Sequence, residues 1–339
     1  MKAVGYQHSL AITEPEALMD IEQTQPEASG RDLLIKVAAV SVNPVDTKIR
    51  SRVTPPAGEF KVLGWDAAGE VVACGDEVTM FKPGDNVYYA GALNRSGSNA
   101  EYQLVDERLV AVMPANLSYE QAAALPLTAI TAWELLFDRL ELDQSSLKYP
   151  RPVLLITGAA GGVGSILVQL ARKLTSVCIV ATASRPETQA WVKELGAHYV
   201  IDHSKPLQPQ LTELGIESVS HVASLTHTDQ HYPELVTLLA AQGKLALIDD
   251  PVGGIDIMPL KQKSISLHWE FMFTRSLFTT PDMHLQHQLL TDLSRLIEQG
   301  QIKTTLQQTF GIINAANLRQ AHALLESGKA IGKVVLAGF

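Results

Sequence analysis

Residues Val153 to Leu174, VLLITGAAGGVGSILVQLARKL, pass from an apolar run through a glycine turn into a helical repeat with nothing between them. That order leaves few folds open. Val153, Leu154, Leu155 and Ile156 are continuously apolar rather than alternating, as in a parallel strand covered on both faces. Gly158, Gly161, Gly162 and Gly164 can take backbone angles closed to other residues, and they carry no Cβ to hold an anion away from the chain. From Ser165 onward, Ile166, Leu167, Leu170 and Leu174 fall on one side of a helix, whose first amides would face an anionic ligand. Written Ala159-Ala160-Gly161-Gly162-Val163-Gly164, the turn is a GxGxxG fingerprint whose first glycine is alanine. Alone it could simply pack a helix on a strand. A second apolar stretch, Val177 to Ala183, completes a strand–turn–helix–strand unit, so a pyrophosphate corner at Ala160, Gly161, Gly162, Val163 and Gly164 is expected.

The alternation continues downstream. Strand-like segments near residues 153, 177, 199, 220, 245 and 265, with helical spacing between them, predict a doubly wound parallel sheet of about six strands. Upstream, residues 1 to about 127 read as short strands between Gly and Pro: Leu33 to Val42, Ala67 to Val72, Asn86 to Ala90 and Ala100 to Val105. Helical spacing begins near Tyr119 and is interrupted at Pro126, which sets a boundary before the nucleotide domain. After Phe273 the pattern changes to a helix at 285–299, a strand near Phe310, a helix at 315–327 and a last strand, Gly332 to Leu336. With 339 residues, 46% of them hydrophobic, this α/β chain has room for two ordinary cores.

Charge narrows the partners. The formal net charge of -9 is spread without a basic run, which disfavours nucleic acid and anionic membranes, so an anionic cofactor must be met locally. The N-terminal stretch MKAVGYQHSLAITEPEAL has no secretory apolar core, and a cytosolic location is expected. Cys74 and Cys178 each lie in an apolar strand-like stretch and read as reduced structural thiols. His227 and His231 stand four apart and would share a helical face, but they lack a third protein ligand for a metal. They read better as surface or cofactor-adjacent histidines flanking a helix capped by Thr228 or Asp229.

The end of the second strand addresses cofactor choice. NAD enzymes place an acid there on the ribose 2′-hydroxyl, whereas Ala181-Thr182-Ala183-Ser184-Arg185 has none. Ser184 and the Arg185 guanidinium suit a 2′-phosphate, so NADP(H) is the expected cofactor.

Several motifs now carry a resemblance: Ser41-Val42-Asn43-Pro44-Val45-Asp46, Gly64-Trp65-Asp66-Ala67-Ala68-Gly69-Glu70-Val71, Phe81-Lys82-Pro83-Gly84-Asp85, Ala123-Ala124-Leu125-Pro126, Thr131-Ala132, the glycine turn, and Gly332-Lys333-Val334-Val335-Leu336. Essentially end to end, the chain resembles the zinc-type alcohol dehydrogenase-like proteins of the medium-chain dehydrogenase/reductase superfamily, in the zinc-lacking quinone oxidoreductase branch. The resemblance implies a GroES-like, β-rich catalytic domain from residues 1–127 and 274–339, a Rossmann domain from 128–273, and a cleft between them for nicotinamide and substrate. It places Asn43, Asp46, Trp65 and Thr131 around the nicotinamide, with Asn43 orienting, Asp46 ordering the loop and Trp65 walling the pocket. It sets His203 where relatives often have a Tyr near the 2′-phosphate, and puts Asp249 and Phe271 toward the nicotinamide end. The apolar stretch Leu267 to Phe273 becomes a final strand pairing across a homodimer. Asn43 and Asp46 can also be read as satisfying a turn around Pro44, and Trp65 as core.

Zinc-dependent members carry Cys, His and a third Cys or acid where this chain has Asn43, Trp65 and Leu127. An amide, an indole and an alkyl chain do not supply the thiolate and imidazole ligands of tetrahedral zinc, so no metal is expected. Lacking that Lewis acid, the site suits an acceptor that delocalises its own charge, a quinone or an α,β-unsaturated carbonyl. The alternatives are a zinc-dependent alcohol dehydrogenase and a non-catalytic NADPH-binding protein.

Overall fold

A computed structural model describes residues 1–142 and 149–339. The chain divides into two compact units, Met1–Ile130 with Phe273–Phe339, and Thr131–Met272. In order, the first unit contains β1 (Lys2–Tyr6), β2 (Met19–Glu22), β3 (Asp32–Val42), α1 (Pro44–Arg52), β4 (Lys61–Val62), β5 (Asp66–Cys74), β6 (Asn86–Ala90), β7 (Tyr102–Asp106), β8 (Val110–Val112) and α2 (Tyr119–Ala123). Helix α3 (Pro126–Trp133) then leads to a π-helical turn, Glu134–Arg139. The helical pattern from Tyr119 is broken at Pro126, as expected, and Pro126 itself opens α3, because at a first helical position its missing N–H costs nothing.

The second unit is the parallel part. It runs β9 (Val153–Thr157), α4 (Gly162–Leu174), β10 (Cys178–Thr182), α5 (Pro186–Glu194), β11 (Tyr199–Ile201), α6 (Leu207–Glu213), β12 (Val219–Ser224), α7 (Thr228–Leu238), β13 (Leu239–Leu247) and β14 (Ser266–Trp269). Among the described residues the strand order is β11-β10-β9-β12-β13-β14, parallel at every pairing. One row of side chains runs straight across its middle: Val180 opposite Leu155, Leu155 opposite Val222, and Val222 opposite Leu245. All four are fully buried in a single apolar cluster, which explains why these strands read as unbroken hydrophobic runs.

The chain then returns to the first unit through α8 (Thr274–Phe278), α9 (Leu285–Glu298), β15 (Leu306–Thr309), α10 (Ala315–Glu326) and β16 (Lys333–Ala337). The described strands of its larger sheet lie in the order β15-β16-β3-β5-β6-β8, with β7 also on β3. Strand β16 pairs antiparallel with β3, Val334 opposite Val42, so the last strand of the chain is knitted beside an early one. Among the described residues no helix is long and apolar enough to cross a membrane.

Two strand extents differ from expectation. The stretch expected as a strand from Ala100 enters β7 only at Tyr102, because Ala100 bridges Ala3 and the Asn99 carbonyl accepts from Val4. The final strand of the parallel sheet, expected over Leu267 to Phe273, stops at Trp269. Glu270 still donates its N–H to the Leu247 carbonyl, but its fully buried carboxylate turns to Arg139 Nε at 2.8 Å and the chain leaves the sheet there.

Candidate cofactor and catalytic site

At the end of β9 the glycines divide the work of the turn. Gly158 has φ +66°, where a Cβ would also stand 2.7 Å from Thr226 Cγ2. At Gly164 a Cβ would come within 2.5 Å of the Ala159 backbone, so this glycine lets α4 lie directly on the turn. Gly161 is different: a Cβ there would meet only the Gly158 carbonyl, at 3.4 Å. It lies ahead of α4 as its N-cap without a side-chain cap, leaving a bare cradle of amides at a helix N-terminus. Ser165 fixes the helix behind it, donating to the Ala160 carbonyl at 3.3 Å and accepting from Trp191 Nε1 at 2.8 Å. Ala160, Gly161, Gly162 and Val163 are all half-buried, and this arrangement fits the pyrophosphate of a dinucleotide.

Beyond β10 the Ala183 N–H reaches the Ile201 carbonyl at 2.9 Å, so the chain ends carrying Ser184–Arg185 and His203 leave neighbouring strands. Arg185 precedes α5, with Nε 3.4 Å from the Glu187 carboxylate. The segment therefore lacks an acid at the strand end but has one a turn later. His203 packs its ring edge-on against His231, centroids 6.2 Å apart, and its Nδ1 is buried without a hydrogen-bond partner. Burial lowers the pKa of both histidines; His227 lowers both further, Asp202 opposes the shift at His203, and His203 itself adds to the shift at His231.

The cap on α7 corrects the sequence expectation. Neither Thr228 nor Asp229 caps the helix; Asp249, just past β13, accepts the Thr228 N–H at 2.9 Å and the Thr228 hydroxyl as well. Asp249 therefore holds the first turn of α7. A hydroxyl chain links the same edge, Thr228 to Ser224 at 2.7 Å and Ser224 to Thr157 at 3.4 Å. Thr131 is buried, whereas Phe271 is largely exposed.

In the first unit, Asn43, Asp46, Asp66 and Lys333 form a buried polar cluster. Asp46 closes the first turn of α1, one oxygen accepting the Asn43 N–H at 2.7 Å and the other the Gly64 N–H at 2.9 Å. Burial pushes its pKa up from 3.8 to about 7, with those two amides and the Lys333 charge opposing the shift. Asn43 Nδ2 donates to Asp66 Oδ2 at 2.7 Å, and the Leu127 N–H donates to Asp66 Oδ1 at the same distance. The Lys333 ammonium closes the cluster, donating to Asp66 at 3.0 Å, to the Val42 carbonyl at 3.1 Å and to Asn43 Oδ1. Positions 43 and 127, two of the three compared with metal ligands, thus converge on a carboxylate that already holds a cation.

Trp65 stands apart from this cluster as a core residue. It is fully buried, donates Nε1 to the Ala92 carbonyl at 3.1 Å and meets Phe273 edge-on at 6.1 Å. Among the described residues, no three or more His, Cys, Asp or Glu side chains are grouped so as to hold a metal ion. Sequence reasoning missed Asp66, Lys333 and Glu187 as participants. The available signal was an ionisable side chain set inside an apolar strand, Asp66 before Ala67-Ala68 and Lys333 before Val334-Val335-Leu336.

Residues 29–115 match the alcohol dehydrogenase GroES-like domain, and residues 195–336 match the zinc-binding dehydrogenase domain. The chain is 41% identical over 336 residues to a zinc-type alcohol dehydrogenase-like protein of Staphylococcus aureus (strain MSSA476), covering 99% of each. A crystal structure from Rhizobium etli CFN 42, provisionally described as a zinc-dependent alcohol dehydrogenase protein, superposes with TM-score 0.96 at 55% identity, over 100% of this chain and 98% of that one. Escherichia coli quinone oxidoreductase complexed with NADPH superposes with TM-score 0.82 at 26% identity, over 99% of this chain and 100% of that one. With the GroES-like sheet, the parallel six-stranded sheet and near-complete overlap with these relatives, the chain belongs to the zinc-type alcohol dehydrogenase-like proteins of the medium-chain dehydrogenase/reductase superfamily.

Proposed function

We propose that this oxidoreductase takes NADPH and delivers hydride to a quinone or an α,β-unsaturated carbonyl without catalytic zinc. The observation that carries the reading is the Asn43–Asp66–Lys333 cluster: at the positions compared with metal ligands the chain offers an amide, an indole in the core and an alkyl side chain, and the nearby carboxylate is bound to a lysine. Zinc contributes several kcal/mol to stabilising an alkoxide, whereas a conjugated acceptor spreads its own charge and needs only hydrogen-bond donors. The bound nicotinamide would supply the hydride. Residues 128–273 would bind the cofactor and residues 1–127 with 274–339 would form the catalytic domain.

In this reading Asn43 and Asp46 are positioning residues. Both Asn43 side-chain atoms are already engaged, and Asp46 fixes the turn into α1. Trp65 supports the fold behind them. The Gly161 cradle holds the pyrophosphate, and Ser184, Arg185 and His203 address the 2′-phosphate. The quinone oxidoreductase solved with NADPH supports the cofactor and the acceptor class. The enzyme is further read as a cytosolic homodimer.

Steady-state consumption of NADPH and NADH against quinones and enones, beside NADP-dependent oxidation of simple alcohols, tests the proposal. Turnover of conjugated acceptors with NADPH, unaffected by chelators, is expected. Alcohol turnover that outran quinone and enone turnover and was abolished by chelation would reverse the reading.

A further inference from the structure

Three histidines crowd the ligand edge of the second unit. His203 follows β11, and His227 and His231 begin α7 after β12. The rings of His203 and His231 are in edge contact, His203 Nδ1 is buried without a partner, and His227 is held in the left-handed conformation at φ 51°. A buried ring nitrogen lacking a hydrogen-bond partner and a non-glycine residue in that conformation both cost free energy, and such features gather where a ligand is received.

We infer that His203, His227 and His231 form a receptor for a phosphate monoester that charges as it fills, binding the ribose 2′-phosphate of the dinucleotide together with protons. The inference rests on the NADPH reading above. Alone, burial and the neighbouring His227 disfavour protonation of His203 and His231, and His203 adds to the effect at His231. A dianion placed among them reverses that preference and gives the protonated His203 Nδ1 an acceptor. Other charges face the cluster. Asp202, itself 3.5 Å from Lys205, stands beside His203, while Asp229 and Glu234 of α7 stand beside His231. Glu234 is occupied, taking the Leu207 and Gln208 amides at 2.6 and 3.2 Å, and from the β10 end Arg185 leans toward Glu187.

Because His203 and His231 lie below their ordinary pKa in the free protein and would rise on meeting the phosphate, NADPH binding takes up protons near neutrality. Its dissociation constant then increases with pH, by up to about tenfold per unit for one linked proton, while that of NADH, which lacks the 2′-phosphate, stays flat. The phosphate's own second ionisation, near pH 6, acts in the opposite direction and is largely complete above pH 7, so a window of about pH 7 to 8.5 isolates the protein's contribution.

Calorimetric titration of NADPH and NADH in buffers of different ionisation enthalpy, on the parent protein and on His203→Gln, His231→Gln and His231→Arg, gives the proton count directly. Thermal melting confirms that each variant is folded. The expected result is uptake of about one proton with NADPH and about none with NADH, reduced in both Gln variants. In His231→Arg, whose charge is fixed, affinity is retained with a weaker pH dependence. Tighter binding of NADPH than NADH without proton uptake, or with uptake unchanged in all the variants, overturns the inference and leaves the cofactor assignment standing. NADH binding equal to or tighter than NADPH, or no binding of either, removes the cofactor assignment and the inference with it.

Discussion

Lys333 brings its ammonium into a space where Asp66, Asn43 and the Val42 carbonyl close around it, with only 3% of the residue exposed. Lys333→Met would leave Asp66 as a buried charge without its cation, so a loss of about 3–5 kcal/mol in chemical denaturation is expected, with part of it recovered when Asp66→Asn is added. Asp46 makes a second residue-scale prediction. Its pKa is raised in the folded chain, so its contribution to stability is complete below about pH 4 and is lost as pH rises through about 7. Melting temperature should fall between about pH 4 and 7 and level off above, and Asp46→Asn should flatten that slope. The Asp46 turn was legible because Asn43, Pro44 and Asp46 are neighbours in the sequence. The Lys333 contact was not: its carboxylate partner lies 267 residues away, and no local pattern encodes that distance.

Among the elements, the β9–α4 corner was the most legible, since strand, turn and helix are contiguous and their glycines mark the bend. The cap of α7 and the end of β14 were not, because one depends on Asp249 beyond β13 and the other on Arg139 in the π-helical turn. The corner permits a paired test. Gly164→Ala would push a methyl into the Ala159 backbone and should cost about 1–3 kcal/mol of stability along with cofactor affinity. Gly161→Ala has room for its methyl and adopts an ordinary φ of -73°, so the poorer N-cap, partly offset by a less flexible unfolded chain, should cost no more than about 1 kcal/mol of stability. It should nevertheless weaken dinucleotide binding about tenfold or more by filling the cradle. Melting curves and fluorescence titration of the same two variants check both halves.

For the whole molecule, the alternation of strand-like and helical segments revealed the parallel sheet, whereas Gly and Pro punctuation revealed only that the first unit is rich in short strands; the exposed edge of the parallel sheet needs a further explanation. Strand β14 ends the described sheet, and Trp269, its last residue, and Phe271 just beyond it are 54% and 47% exposed. An uncovered apolar edge invites aggregation, and the proposed homodimer covers it. Light scattering at micromolar concentration should give twice the chain mass, and Trp269→Glu should shift the protein toward monomer; a monomeric parent would refute the pairing. The course of the chain has a consequence in time. The first unit needs β16 beside β3 and Lys333 against Asp66, whereas the second is one continuous stretch, Thr131–Met272. At about 5–20 residues per second, a ribosome adds Lys333 on the order of 13 to 53 s after Asp66. Throughout that interval the nascent first unit carries a carboxylate without its counter-ion and a β3 edge awaiting β16, and before the interval ends the unit begun later has received all its strands. The second unit is therefore complete before the first can close, and a translation product arrested between Met272 and Lys333 would carry a finished second unit and an unfinished first.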